Sequence, residues 1–188
     1  MQKIQRELYE ELRRELSESR ERIGRLVRPL DSAQLNEHPE PNGWSVGQVL
    51  EHLLRADEKY DAPFAELLRK SPRDAGAASR EWRPSLIGGL IANSLINPKP
   101  IKRGPRKFAP GPTPRNGAVE AFLARELRFL QAMEDALPYD WHKLRIGSPA
   151  LPGWMPKMNL GDGFRIHVVH VTRHARQIER VAGKLGPK

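Results

Sequence analysis

The stretch FRIHVVHVTRHARQIERVAG, residues 164–183, is the most informative part of the chain. Its apolar residues recur every three or four positions, which is the period of an amphipathic α-helix with one face in a core. Two histidines, His170 and His174, are four residues apart, so they project from one face of that helix, about one turn apart. The pattern predicts a long helix over about Leu160 to Ala182, ended by Gly183, that carries two adjacent imidazoles.

Three further segments share the helical period. We expect the first helix over about Gln2 to Val27, the second from an N-cap at Ser45 to about Lys70, and the third over about Ala118 to Ala136. In the third helix, the residues expected to face inward are Val119, Phe122, Leu123, Leu127, Leu130 and Met133. No segment alternates in polarity for long, so the sequence predicts an all-α fold without an extensive sheet.

The link between the second and third long helices is unusually long, from about Ser71 to Gly117. A structureless loop of that size is uncommon in a compact domain, so we expect RPSLIGGLIANSLI, residues 83–96, to form a short extra helix. A long link also lets the helices on either side run parallel, which a tight turn does not. The sequence therefore predicts one domain over residues 1–188, a four-helix bundle with a long crossover between helices two and three.

Composition excludes several classes of site. The chain has 188 residues, a formal net charge of +9 and no cysteine. Disulfides, thiolate ligands and cysteine nucleophiles are therefore excluded, and any metal has to be held by nitrogen and oxygen. The charged N-terminal segment does not resemble a signal peptide, and no apolar run approaches the roughly 20 residues of a membrane span. We expect a cytoplasmic protein with no membrane partner.

Much of the positive charge lies in residues 97–115, which contain no acidic residue. The six cations there are Lys99, Lys102, Arg103, Arg106, Lys107 and Arg115. Such a run is typical either of an arm that binds nucleic acid or of a solvated connector stiffened by proline. Only Phe108 could stack on a base, and no helix-turn-helix pattern accompanies the run. These observations favour the connector, and we expect no specific nucleic-acid partner.

A third histidine, His52, flanks the apolar stripe of the second helix. His52, His170 and His174 could therefore meet at one end of a groove between helices. Neutral imidazole suits zinc, nickel, copper or iron(II), so three such rings could form a metal site with an open coordination position. A histidine beside an apolar stripe is alternatively a hydrogen-bonded core residue. We favour that interpretation for His167, and a loop role for His38 and His142.

Three motifs resemble those of the DinB/YfiT-type four-helix bundle proteins. GWSVGQVLEHLLRAD, residues 43–57, is similar to the family block in which a ligand histidine follows a tryptophan by eight residues, as His52 follows Trp44. HVTRHARQI, residues 170–178, resembles the last-helix pattern of two histidines followed by Gln-Ile. RKFAPGPTP, residues 106–114, looks like the family's linker. The resemblance covers the whole chain in order and spacing.

The resemblance implies a divalent metal on His52, His170 and His174 at one end of the bundle, with zinc or nickel as the first candidates and iron as an alternative. It gives His167 no ligand role. It also implies a thiol-dependent transferase or isomerase that works with a low-molecular-weight thiol and a small-molecule substrate, and a possible homodimer. The insertion over residues 72–116 and the basic charge depart from better-characterised members, so the substrate stays open.

Side chains near the three histidines are candidates for supporting roles. Gln48 precedes His52 by one turn and Gln177 follows His174 by three residues, so either could orient a ligand or a bound water. Asp57 is our candidate general base, although a solvated helix charge is the interpretation that we favour for it. The function predicted first is a thiol-dependent transferase. A metal-dependent hydrolase and a non-catalytic metal- or ligand-binding module are the alternatives, and nucleic-acid binding ranks below them.

Overall fold

The computed structural model describes residues 2–41, 43–97 and 106–185. These residues form six α-helices: α1 (Gln5–Val27), α2 (Ser32–Asn36), α3 (Val46–Lys70), α4 (Leu86–Ile96), α5 (Ala118–Asp135) and α6 (Leu160–Ala182). Four two-residue strands form two antiparallel pairs, β1 (Lys3–Ile4) with β2 (Glu81–Trp82), and β3 (Arg145–Ile146) with β4 (Met158–Asn159). The all-α prediction is confirmed. No helix in the described ranges is long and apolar enough to cross a membrane.

The four long helices pack side by side, with α1 and α3 each in contact with both α5 and α6. Ring contacts give the direction of α3 relative to α6. His52 lies against His170, and further along α3 Phe64 lies against Phe164, with ring centroids 5.1 and 5.5 Å apart. The residue numbers rise along α3 as they fall along α6, so these two helices are antiparallel.

The same comparison places α5 antiparallel to α6. Glu126 contacts His167, and three residues further along α5 the ring of Phe129 lies 5.8 Å from that of Phe164. Because α3 and α5 are both antiparallel to α6, they run parallel to each other. The long link between them makes this direction possible, as expected from its length.

Two side-chain caps explain where the site-bearing helices begin. Ser45 precedes α3, and its Oγ accepts a hydrogen bond from the backbone N–H of Gln48. Asn159 precedes α6, and its Oδ1 accepts one from the backbone N–H of Asp162 at 2.8 Å. Each cap satisfies an N–H group that the first turn leaves without a helical partner. Gly183 is the C-cap of α6, as predicted.

The predicted inward face of α5 is wrong at one position. Leu127 is 51% exposed, whereas the neighbouring Glu126 is fully buried. Helical periodicity alone places a carboxylate on the side that faces water. Here Glu126 has a buried partner, His167, on α6, and this pairing offsets the cost of removing its charge from water.

The link between α3 and α5 contains its own structure, and the short helix predicted for residues 83–96 is confirmed as α4. Single 3₁₀ turns lie at Ala77–Ser79 and Arg106–Phe108. Ser85, the N-cap of α4, donates from its backbone N–H and its hydroxyl to Oδ2 of Asp162 at 2.9 and 2.6 Å. α4 is thereby fastened to the first turn of α6.

The basic stretch of the link is only partly described. Lys99, Lys102 and Arg103 lie outside the described residues. Arg115 is held between two carboxylates of α3, with Nε 2.6 Å from Glu51 and Nη1 2.7 Å from Glu58. Arg115 therefore serves as a connection between the link and α3.

Two adjacent glycines in α4 provide a matched test of this docking. A Cβ on Gly88 would lie 2.1 Å from Cγ of Asp162, whereas one on Gly89 meets no atom of the described residues within 4 Å. We expect Gly88→Ala to destabilise the fold by about 1–3 kcal/mol, because backbone and carboxylate have to separate. Gly89→Ala should stabilise it by about 0.5–1 kcal/mol. Chemical denaturation of both variants measures the difference, and equal effects would contradict the close approach.

Candidate metal centre and its cavity

His52 from α3 and His170 and His174 from α6 come together at one place in the bundle. Nε2 of His170 lies 3.2 Å from Nε2 of His52 and 3.1 Å from Nε2 of His174. His52 and His174 are 7% and 6% exposed. The antiparallel packing of α3 and α6 brings the residue from one helix level with the pair on the other.

Hydrogen bonds at the far side of two rings fix which nitrogen faces the centre. Nδ1 of His52 donates to the carbonyl oxygen of Phe108 at 2.8 Å, and Nδ1 of His174 donates to Oε1 of Gln177 at 2.8 Å. A neutral ring that carries its proton on Nδ1 has a lone pair on Nε2. These two hydrogen bonds therefore direct the Nε2 lone pairs of His52 and His174 towards the ring of His170.

Electrostatics keep the three rings neutral. Burial lowers the pKa of His52 and, together with the neighbouring histidines, lowers the pKa of His170 well below its usual value. Burial lowers the pKa of His174 to about 3. Two nitrogens that each bind one zinc-sized ion at about 2.0–2.1 Å lie about 3.0–3.4 Å apart. The observed separations of 3.1 and 3.2 Å match that range, so the three residues fit a divalent metal.

The two glutamines proposed as supports lie in different surroundings. Gln177 contacts His174 directly. Gln48 belongs to the capping box of α3, and its amide also donates to the carbonyl oxygens of Gly111 and Pro112 in the link. In the described part of the chain, Gln48 makes no hydrogen bond to a histidine. Gln48 therefore holds the link against α3.

A second buried cluster joins α3, α5 and α6. Nδ1 of His167 lies 3.0 Å from Asp57 Oδ1, and its Nε2 lies 2.8 Å from Glu126 Oε2. The ring also stacks on Phe129, with planes inclined by 15°. Among the described residues, Oδ2 of Asp57 and Oε1 of Glu126 have no hydrogen-bond partner. We call Asp57, Glu126 and His167 the carboxylate–histidine cluster.

Charge balance in this cluster depends on the proton of His167. Burial alone would lower the pKa of His167, but the carboxylates of Asp57 and Glu126 on either side of the ring outweigh it and raise the pKa to about 10. Burial raises the pKa of Glu126. His167 is therefore an imidazolium at neutral pH, and its single positive charge lies between the two carboxylates.

The carboxylate–histidine cluster changes the interpretation of Asp57 and adds Glu126 to the residues of the site. The interpretation of Asp57 as a solvated helix charge is wrong, because its side chain is 3% exposed. The interpretation of His167 as a hydrogen-bonded core residue agrees with its contacts. Glu126 was missed, although a carboxylate four residues after Phe122, within an apolar stripe, is a signal for a buried charge with a partner.

A cavity of about 1130 Å³ adjoins both histidine clusters. His52, His170, His174, Asp57 and His167 line it. Much of the remaining wall is apolar and comes from several parts of the chain, with Trp44, Phe64, Ile91, Leu95, Phe108, Phe129, Ile146 and Phe164 among its residues. Because Ile91 and Leu95 belong to α4, the insertion supplies part of the wall.

Comparison with known families agrees with this arrangement. The family model described as the DinB superfamily matches residues 15–178. The chain belongs to the DinB superfamily. Neither a curated protein nor a solved structure is significantly similar to it. The resemblance inferred from the motifs around His52 and His170–Ile178 is thus confirmed at the level of the superfamily, and a histidine site able to hold a metal fits this DinB-superfamily protein.

The contrast between Gln177 and Gln48 makes a prediction for this DinB-superfamily protein. Gln177→Ala should weaken zinc binding by about 10–100-fold, because the ring of His174 loses the acceptor that orients it. Gln48→Ala should lower unfolding free energy by about 1 kcal/mol and leave zinc affinity nearly unchanged. Competition with a chromophoric chelator measures affinity. A larger loss of affinity in Gln48→Ala would reverse the two assignments.

Proposed function

We propose that this DinB-superfamily protein is a metal-dependent thiol transferase that holds zinc or nickel on His52, His170 and His174. The observation that carries the proposal is the convergence of three neutral Nε2 atoms, 3.1 and 3.2 Å apart, on a large apolar cavity. Three neutral ligands leave the full charge of a divalent ion uncompensated and at least one position open. A site closed by four protein ligands would favour a structural metal instead.

A divalent ion bound there supplies Lewis acidity that stabilises a thiolate, or a hydroxide, at neutral pH. The side chains of the chain supply the remaining requirements. The apolar wall excludes water from the reacting atoms and so limits hydrolysis of the electrophile. His52 and His174 are held in fixed orientations by Phe108 and Gln177, so the site requires little rearrangement when it is loaded.

Asp57 is our candidate for the proton acceptor. It lines the cavity, and its Oδ2 carries no hydrogen bond from the described residues. In the transfer, the thiol loses its proton to a carboxylate, the sulfur forms a bond to the electrophilic carbon, and the departing group leaves with the electron pair of the broken bond. Asp57→Asn keeps the shape of the side chain but removes the charge, so it should lower turnover while metal content stays unchanged.

Cobalt(II) substitution tests the transferase proposal. A small thiol that ligates the metal should produce a strong near-ultraviolet charge-transfer band, and apparent affinity should rise with pH until the thiol itself is ionised. The control variant His52→Ala should lack the band. Screening the zinc- and nickel-loaded protein with thiols and electrophiles then tests transfer directly.

Two other outcomes of the cobalt experiment would replace the proposal. A spectrum that ignores thiols but shifts with a titration near neutral pH would favour metal-assisted hydrolysis by a bound water. A spectrum that responds to neither thiol nor pH would favour a binding module without catalysis.

A further inference from the structure

Arg173 is a cation on the wall of the cavity, and in the sequence of α6 it lies between His170 and His174, which face the candidate metal centre. Its Nη1 donates to the carbonyl oxygen of Leu95 in α4 at 3.3 Å. No carboxylate of the described residues lies within ion-pairing distance of its guanidinium. The side chain is half-buried. A partly desolvated guanidinium without a counter-charge is a site where an anion gains free energy.

The other two arginines of the cavity wall differ from Arg173. Arg125 forms a two-pronged ion pair with the carboxylate of Asp61, so its charge is already compensated. Arg128 has no ion pair among the described residues, but it is exposed and therefore solvated. Of the three, Arg173 alone combines partial burial, a missing counter-charge and a place beside His170 and His174.

The rest of the wall indicates what such an anion would carry. Rings of Phe64, Phe129 and Phe164 form a contiguous aromatic surface, with centroids 5.5 and 5.8 Å apart for the two pairs that involve Phe164. Ile91 and Leu95 of α4 line the same cavity. Binding sites of this kind bury an apolar body and use a few polar groups to orient it.

We propose that the cavity binds an apolar, ring-sized molecule that carries one anionic group, and that Arg173 is the subsite for that group. The proposal rests on the proposed function in one respect: the molecule is the electrophilic co-substrate of the thiol transferase. Arg173 then determines specificity, because it orients the anionic end beside the histidines while the aromatic surface holds the body.

Two fluorescent probes of nearly equal shape test the anionic subsite. 8-Anilinonaphthalene-1-sulfonate is an apolar anion, and N-phenyl-1-naphthylamine has the same aromatic body without the sulfonate. We expect Arg173→Gln to raise the Kd of the sulfonate probe by at least about tenfold, the value of a lost charge-assisted hydrogen bond, and that of the neutral probe by less than about twofold. Arg173→Lys, which keeps the charge, should recover part of the loss.

Matched variants locate the effect. Arg176→Gln removes the same charge from an exposed position of α6 and should leave both Kd values unchanged. Ala132→Trp narrows the cavity with a larger ring and should weaken both probes. The same Kd measurements are repeated in the His52→Ala background. If Arg173→Gln still weakens binding of the sulfonate probe there, the anionic subsite is supported even if the metal proposal fails.

Two results would overturn the assignment. An equal loss for both probes in Arg173→Gln would show that Arg173 only anchors α4 through Leu95. Unchanged binding of the sulfonate probe, or an equal loss in Arg176→Gln, would show that no anionic subsite exists at Arg173.

Discussion

His52→Ala is expected to lose its bound metal almost completely. The variant keeps only two of the three converging nitrogens, and the ion would also lose its only ligand from α3. Removing a group that merely orients a ligand costs about 10–100-fold in metal affinity, so removing the ligand itself should cost more than about 100-fold. Elemental analysis of protein purified without a nickel column, and again after dialysis against zinc, measures the metal content.

Two loop histidines provide controls for this experiment. His38→Ala and His142→Ala change loop histidines that hydrogen-bond to Gly43 and Arg83 and not to the three rings, and both variants should keep the metal content of the parent. His167→Ala would be a poor control, because it leaves two buried carboxylates without their cation. Equal metal loading in His52→Ala and the parent would exclude the three-histidine centre.

The largest loss of stability is expected from His167→Gln. A neutral amide there leaves Asp57 and Glu126, both nearly inaccessible to water, without the imidazolium between them. Leaving a buried charge uncompensated costs about 3–5 kcal/mol. Combining His167→Gln with Asp57→Asn and Glu126→Gln replaces the charged cluster by a neutral one and should recover most of that loss. A triple variant no more stable than the single one would show that packing, not charge, dominates.

The same cluster sets a dependence on pH in the metal-free protein. The folded state holds the His167 proton up to a pKa of about 10, whereas the unfolded chain releases it near the ordinary pKa of 6.5. The contribution of this proton to the free energy of unfolding is therefore fully present below about pH 6.5. It is lost as pH rises towards 10, at up to about 1.4 kcal/mol per pH unit. Urea unfolding in the presence of EDTA should show this slope in the parent and a smaller one in His167→Gln.

The helices of this protein were predictable because their signals are local. Periodicity and the cap at Ser45 placed α3, and the predicted bounds of α6, Leu160–Ala182, agree with the structure. The ligand candidates were also accessible, since His170 and His174 share a helix face by spacing alone. The meeting of His52 with them follows from the antiparallel packing of two amphipathic helices.

The remainder depends on contacts between residues distant in the sequence. Glu126 lies 41 residues from His167, so its place within an apolar stripe can indicate a buried charge but not which residue pairs with it. Leu127 is predicted to face inward because an apolar residue fits the helical stripe better than the neighbouring carboxylate. In the structure Glu126 takes that inward position and Leu127 is exposed. The support of His52 by Phe108 comes from the link, 56 residues further along, and depends on how that link returns to α3.

That contact with Phe108 makes the connector part of the candidate metal centre. The carbonyl oxygen that fixes the ring of His52 belongs to a single 3₁₀ turn, Arg106–Phe108, whose side chain at Phe108 also lines the cavity. A molecule in the cavity that contacts the side chain of Phe108 therefore contacts the same segment that orients the ring of His52. We therefore expect occupancy of the cavity and affinity for a metal to be thermodynamically linked, and by reciprocity each should alter the other by the same factor.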